Sequence, residues 1–249
     1  MGIEIKSANE IGLMREAGRI VAETLATLAG ALRVGMMTRE LDDIAREEIE
    51  KRGGIPSFKD YRGYPAYVCV SVNEQVVHGI PGERVLRDGD IVSLDLGAIY
   101  RGFQGDAAVT VGLGQVSRQG RELIEATRGA LENGIAAAKP GAHLGDISAA
   151  IQRHAESKGF SVVREYVGHG IGRQMHEDPQ VPNYGNPGEG VLLRKGMTMA
   201  LEPMVNVGGW RTRALEDGWT VVTADGSLSA HFEHTIVITD GGAEVLTLP

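Results

Sequence analysis

The stretch Ile91-Val-Ser-Leu-Asp95-Leu96, followed by Asp106 at the head of Ala107 to Val111, decides how this chain is read. Its runs are short and either apolar or alternating, which is the pattern of strands, and Gly and Asn mark the turns. Each of its two carboxylates has a counterpart further on. Leu94-Asp95 aligns with Leu201-Glu202, and Asp106 aligns with Glu233, which heads His234 to Ile238. Thr198 to Val205 and Thr235 to Ile238 read as strand for the same reason.

Working outward from these acids, the repeat takes in the helices as well. Ser7-x-x-Glu10 is a capping-box pattern, and Ile11, Met14, Val21, Leu25, Leu28 and Leu32 follow at helical spacing up to Gly35. A second helix reads from about Thr38, with Leu41, Ile44, Ala45 and Ile49 on one face, and stops at Gly53-Gly54. The pair returns later: Leu123, Ile124, Leu131 and Ile135 precede Pro140-Gly141, and Ile147, Ala150 and Ile151 precede Gly159. His78-Gly79-Ile80 matches His169-Gly170-Ile171, and Val85-Leu86-Arg87-Asp88-Gly89 matches Leu192-Leu193-Arg194-Lys195-Gly196, in preserved order. Two halves, about 1–112 and 113–249, each of helix, helix and acidic hairpin, are expected to pack about a pseudo-twofold axis within one domain. The expected class is α/β (α+β), with the carboxylates converging near that axis.

Composition narrows the function. With 249 residues, 42% hydrophobic and 23% charged, the chain can bury a sizeable core and has the make-up of an ordinary globular protein. A net charge of -8 sets it against phosphate backbones and anionic lipid, so neither nucleic acid nor a membrane is expected as a direct partner. Cys69 is the only cysteine, which excludes an internal disulfide framework or a Cys-rich zinc cluster and fits a reducing compartment. The N-terminal residues show no basic and then apolar signal, and no later window reaches the ~18 apolar residues of a spanning helix. A cytoplasmic monomer is the expectation.

Four carboxylates within a few ångströms raise one another's pKa values and cannot all ionise without compensation. Two divalent cations would cancel the charge and lower the pKa of bound water. His169, in Val167-Gly-His-Gly-Ile-Gly172, is the candidate nitrogen ligand, because its flanking glycines let backbone come close. One histidine with four carboxylates suits manganese, iron or cobalt at least as well as zinc. His176-Glu177-Asp178-Pro179-Gln180 lacks the second histidine of a zincin helix, and Pro179 would interrupt that helix. A G-x-S-x-G elbow and a phosphate-binding loop are both absent, and Gly112-Leu-Gly114 lacks the third glycine of a dinucleotide fingerprint.

Asn73-Glu-Gln-Val-Val-His78-Gly-Ile-Pro81, the Asp95 and Asp106 pair, Gly168-His169-Gly-Ile-Gly172, Leu201-Glu202-Pro203 and Phe232-Glu233-His234-Thr235 together resemble the methionine aminopeptidases, in their short type 1 form. The resemblance implies a pita-bread fold, in which a central antiparallel sheet carries two divalent ions (cobalt, manganese, iron or zinc) with helices packed outside. By this similarity Asp95 would chelate one ion, His169 and Glu202 the other, and Asp106 and Glu233 both; Glu202 would also shuttle the proton. His78 and His176 would hold the scissile amide without binding metal. Phe58, Tyr61, Tyr64, Cys69, Met175 and Trp219 would form the methionine side-chain slot, with Met175 standing where an aromatic residue is common. The implied reaction removes the initiator methionine from nascent polypeptides before a small second residue, with the ribosome as a candidate partner. A proline-specific aminopeptidase or dipeptidase of the same fold, and a non-catalytic binding protein built on it, stay open as alternatives.

Overall fold

The computed structural model describes residues 2–249, so Met1 lies outside the described residues. Helix α1 (Ala8–Ala31) opens on the expected capping box: Ser7 Oγ accepts from the Glu10 amide at 3.4 Å, and Glu10 Oε2 accepts from the Ser7 amide at 2.9 Å. Helices α2 (Thr38–Lys51), α3 (Arg118–Ala137) and α4 (Leu144–Ser157) are the other α-helices among the described residues. The second helix of each pair begins in the same way. Glu40 Oε1 accepts from the Met37 amide at 2.8 Å, and Asp146 Oδ2 accepts from the His143 amide at 2.7 Å. Met37 then bridges to Val85 and His143 to Leu192. Gly35 and Gly141 enter these helices at φ 87° and 84°, where a side chain would be strained.

Among the described residues the central sheet has nine strands: β1 (Ile55–Pro56), β2 (Cys69–Val72), β3 (Ile91–Tyr100), β4 (Phe103–Gly112), β5 (Gly168–Gly170), β6 (Glu177–Val181), β7 (Thr198–Leu201), β8 (Glu233–Thr239) and β9 (Gly242–Val245). They lie in the order β1-β3-β4-β8-β7-β5-β6, with β2 also on β3 and β9 also on β8, and every pairing is antiparallel. Strands β3 and β4 form a tight hairpin whose two turn residues, Arg101 and Gly102, both have positive φ, as the turn that follows strand twist requires.

Alternation along the strands separates core from site. Leu94, Leu96, Ala98 and Ala107 face a core shared with Ile20, Leu28, Leu41 and Ile49 of α1 and α2. Met199, Leu201, Ile236 and Ile238 face a second core with Leu123, Leu131, Ile147 and Ile151 of α3 and α4. Helix α1 sits almost on the sheet backbone, since a Cβ on Gly105 would lie 2.7 Å from the Gly18 nitrogen. The helices therefore cover one face of the sheet, and the opposite face carries the acids.

Two sequence expectations are corrected here. The first pair of acids lies on a hairpin, but the second does not. Thr198 to Val205 is not one strand: β7 ends at Leu201, and Met204–Asn206 belongs to a separate three-stranded sheet with Ser161–Val162 and Ser229–His231. Pro203, which has no N–H to give a ladder, stands at the break. The chain returns to the central sheet at Glu233, after Thr212–Ala214 and Val221–Thr223 have also paired elsewhere. Likewise, His78 and His169 match in sequence but not in position. His169 is within β5, whereas His78, at φ 58°, follows Gln75–Val77 of another small sheet.

The N-terminal segment pins the start of β6. Lys6 Nζ lies 2.5 Å from Glu177 Oε2, with side-chain exposures of 3% and 12%, and Glu177 Oε1 accepts from the Gln174 amide at 3.1 Å. Lys6 Nζ also lies 3.4 Å from the exposed Glu4 Oε2, so it is removal of Lys6 that leaves a buried charge, that of Glu177, without its cation. Lys6→Met is expected to lower stability in urea unfolding by about 3–5 kcal/mol, and Lys6→Met combined with Glu177→Gln to recover much of that loss. A single variant as stable as wild type would show the pair to be solvated.

Candidate metal centre

Register brings five predicted ligands to one face of the sheet. Asp95 stands opposite Ala108 and Asp106 opposite Gly97, and paired or alternate residues share a face. Glu233 is also opposite Ala108, which adds it to the same side. Ala200 is opposite both His169 and Thr235, so His169 joins them, and Glu202 follows two residues beyond Ala200. Cys69 arrives by pairing with Asp95. The glycines flanking His169 serve packing: a Cβ on Gly168 would meet the Ala200 carbonyl at 2.4 Å, and one on Gly170 the Asp178 carbonyl at 2.2 Å.

The distances are those of a ligand cluster. His169 Nε2 lies 3.6 Å from Glu202 Oε1 and 3.9 Å from Asp106 Oδ2. Asp106, His169 and Glu233 can each offer an atom so that all three lie within 4.8 Å of one another. Asp95 and Glu202 fall outside that tight trio but line the same cleft. His78, His176 and every residue named for the apolar slot line it too.

Electrostatics point to a cation. Burial holds the Asp95, Glu202 and Glu233 carboxyls well above the usual carboxylate range, and their mutual repulsion, centred on Asp106, adds to it. Burial likewise raises Asp106 to about 7. The same desolvation, helped by neighbouring His176, takes His169 down to about 3, so its ring is neutral. Nδ1 of His169 lies 2.9 Å from the Gly170 carbonyl and donates its proton there, which turns the Nε2 lone pair toward the acids. Asp95 Oδ1, Asp106 Oδ1 and Glu233 Oε1 are buried without a hydrogen-bond partner among the described residues. Inward-facing, unpaired oxygen acceptors and one neutral imidazole fit divalent cations.

Beside the acids the cleft turns apolar. Phe58 and Tyr64 meet edge to face with centroids 6.4 Å apart, and Tyr64 meets Trp219 at 5.1 Å. Tyr64 Oη donates to the Gly79 carbonyl at 3.0 Å, so its buried hydroxyl is satisfied. Burial pushes the Cys69 thiol well up, which makes it packing rather than a nucleophile. Met175 is 2% exposed at the inner wall. Sequence reasoning missed Gly97, which shares the site face: a Cβ there would meet Met175 Cε at 2.7 Å and Phe58 Cε1 at 3.0 Å. A glycine inside an apolar strand, two residues after Asp95, was the available signal. Gly97→Ala is expected to cut kcat/KM by about tenfold for any substrate whose side chain enters the slot, because one methyl group overfills it, while metal affinity stays unchanged. Unchanged kcat/KM would place the side chain elsewhere. Arg62 also lines the cleft, with its guanidinium 5.4 Å from the Tyr61 ring, and nothing in the sequence marked it.

Comparison with known proteins agrees with this geometry. The model of metallopeptidase family M24 matches residues 12–240. The chain belongs to metallopeptidase family M24. This M24 chain is 54% identical over 242 residues to methionine aminopeptidase 1 of Bacillus subtilis, covering 97% of this chain and 98% of that protein. It is also 54% identical to the methionine aminopeptidase of Clostridium perfringens, over 99% of both. A crystal structure of the methionine aminopeptidase from Thermotoga maritima superposes with TM-score 0.98 at 52% identity over the whole of both chains. A prolidase from Pyrococcus furiosus shares the fold alone, at TM-score 0.81 and 22% identity over 98% of this chain and 65% of that one. The curled antiparallel sheet with outer helices is thus the pita-bread arrangement common to M24 peptidases.

Proposed function

We propose that this chain is a methionine aminopeptidase that removes the initiator methionine from nascent polypeptides, preferring a small second residue, with two divalent ions held by Asp95, Asp106, His169, Glu202 and Glu233. The observation that carries this reading is the junction, in one cleft, of a buried acid and imidazole cluster with an apolar slot lined by Phe58, Tyr64, Cys69, Met175 and Trp219. An unbranched thioether suits such a slot, and the adjoining cluster suits a free amine and a scissile carbonyl. The names of the relatives above support the same reading.

Cobalt, manganese, iron or zinc bound at the cluster would polarise the scissile carbonyl and lower the pKa of water. The protein's own groups do the rest. Glu202 Oε1, beside His169 Nε2, receives the proton of the attacking water and hands it to the leaving amide nitrogen. Tyr61 Oη lies 2.9 Å from Nδ1 of His176 and stacks on its ring, orienting Nε2 toward the substrate. His78, held neutral by burial and packed edge-on to Trp219 at 6.1 Å, supplies the second hydrogen bond as charge develops. The same reading has the chain act as a single-domain cytoplasmic monomer, built of halves 1–112 and 113–249, on polypeptides leaving the ribosome. Its acidity and lone buried thiol agree with this, and none of the described helices is long and apolar enough to cross a membrane.

Metal-stripped protein should release methionine from Met-Gly-Met-Met when Mn²⁺, Co²⁺ or Fe²⁺ is restored, and leave a Xaa-Pro peptide intact. Cleavage confined to the Xaa-Pro peptide would move the chain to the proline-specific branch of the fold. Silence toward both with every metal would leave it a binding protein.

A further inference from the structure

Glu202 occupies a place where strand pairing does not hold it. Strand β7 ends at Leu201, Pro203 brings no amide hydrogen, and Met204–Asn206 pairs in another sheet. Asp95, Asp106, His169 and Glu233, by contrast, are inside the ladders of β3, β4, β5 and β8. A carboxylate that must both face the cluster and move a proton needs its backbone fixed in some other way.

The group that meets the Glu202 carbonyl is the side chain of Asn183. Its Nδ2 donates to that oxygen at 3.1 Å, and the residue is fully buried at 0% exposure. Its Oδ1 is buried with no protein partner among the described residues, so as a packing unit Asn183 is a poor choice compared with an apolar side chain of the same branched shape. Asn183 follows closely on β6, and His176 precedes the same strand. One short segment therefore carries a substrate-facing imidazole on one flank and the contact to Glu202 on the other.

We infer that Asn183 is a positioning residue for Glu202, its amide fixing the Glu202 peptide so that the carboxylate reaches both the cluster and the scissile amide. The inference rests on the proton-carrying role proposed above for Glu202. The test compares wild type with Asn183→Leu, which keeps the branched shape without the amide, and Asn183→Ser, which is too short to reach. Three quantities are measured: melting of the metal-free protein, Mn²⁺ affinity by calorimetric titration, and kcat and KM on Met-Gly-Met-Met.

Asn183→Leu is expected to melt within about 4 °C of wild type. It should bind Mn²⁺ roughly 10-fold more weakly and lose about 10–100-fold in kcat, with KM changed less than about threefold. The serine variant should show the same split, and it carries the test if the leucine variant does not fold. Mn²⁺ affinity and kcat within about twofold of wild type in a folded variant would overturn the assignment. So would a loss of stability with no loss in kcat. Failure of wild type itself to cleave the peptide would count against the proposed function, while the ratio of Mn²⁺ affinities would still decide the role of Asn183.

Discussion

Glu202→Gln is expected to lower kcat on Met-Gly-Met-Met by about 10²–10⁴-fold, the usual contribution of a positioned general acid or base, with a much smaller change in KM. The substitution is nearly isosteric and keeps a carbonyl oxygen where Glu202 Oε1 lies 3.6 Å from His169 Nε2. What it removes is the ability to take a proton and return it. In the metal-free protein, burial and the charges of Asp106 and Asp95 raise the Glu202 carboxyl above the ordinary range. Metal content measured on the same sample separates loss of proton transfer from loss of a ligand. A metal-replete variant with near-normal turnover would remove Glu202 from the chemistry.

Stripping the metal should reverse the usual effect of mild alkalinity on stability. Asp106 titrates at about 7 in the folded protein against 3.8 when unfolded, and Asp95, Glu202 and Glu233 are raised as well. Above pH 6.5 the folded metal-free protein holds protons that the unfolded chain has released, so its unfolding free energy falls as pH rises from 6.5 to 8. The slope is up to about 1.4 kcal/mol per pH unit for each proton retained. Below 6.5 the imidazoles of buried His169 and His231 and of half-buried His234, all lowered by desolvation, act in the opposite sense, because the unfolded chain protonates first. Mn²⁺ should flatten the upper limb by holding the carboxylates ionised, and add about 2.7 kcal/mol for each ion bound at a hundredfold excess over its Kd. Urea titrations in chelator and in Mn²⁺ measure both. Metal-free stability rising between pH 6.5 and 8 would show that the acids are solvated or paired in some other way.

Much of this site could be read from the sequence because the acids recur at matched places. A lone Asp95 carries little information, but Asp95 and Asp106 answered by Glu202 and Glu233 imply convergence. Apolar periodicity also located all four helices, since Ser7 and the glycines at 35, 53, 141 and 159 punctuate them. Connectivity was not legible. A short strand pattern does not say which strand it pairs with, so Glu202 and Glu233 read as a hairpin although the chain between them builds parts of two other sheets. Nor was the work of small and buried polar groups legible. Gly97 matters through the side chain it lacks, and Asn183 through one carbonyl that only tertiary structure brings near.

Anomalous diffraction from crystals equilibrated with Mn²⁺ tests the central claim most directly. The expected result is two peaks at the base of the cleft, one within coordination distance of Asp95, the other of His169 and Glu202, with Asp106 and Glu233 reaching both. Peaks held by other side chains, or none at these five residues under conditions that support turnover, would contradict it.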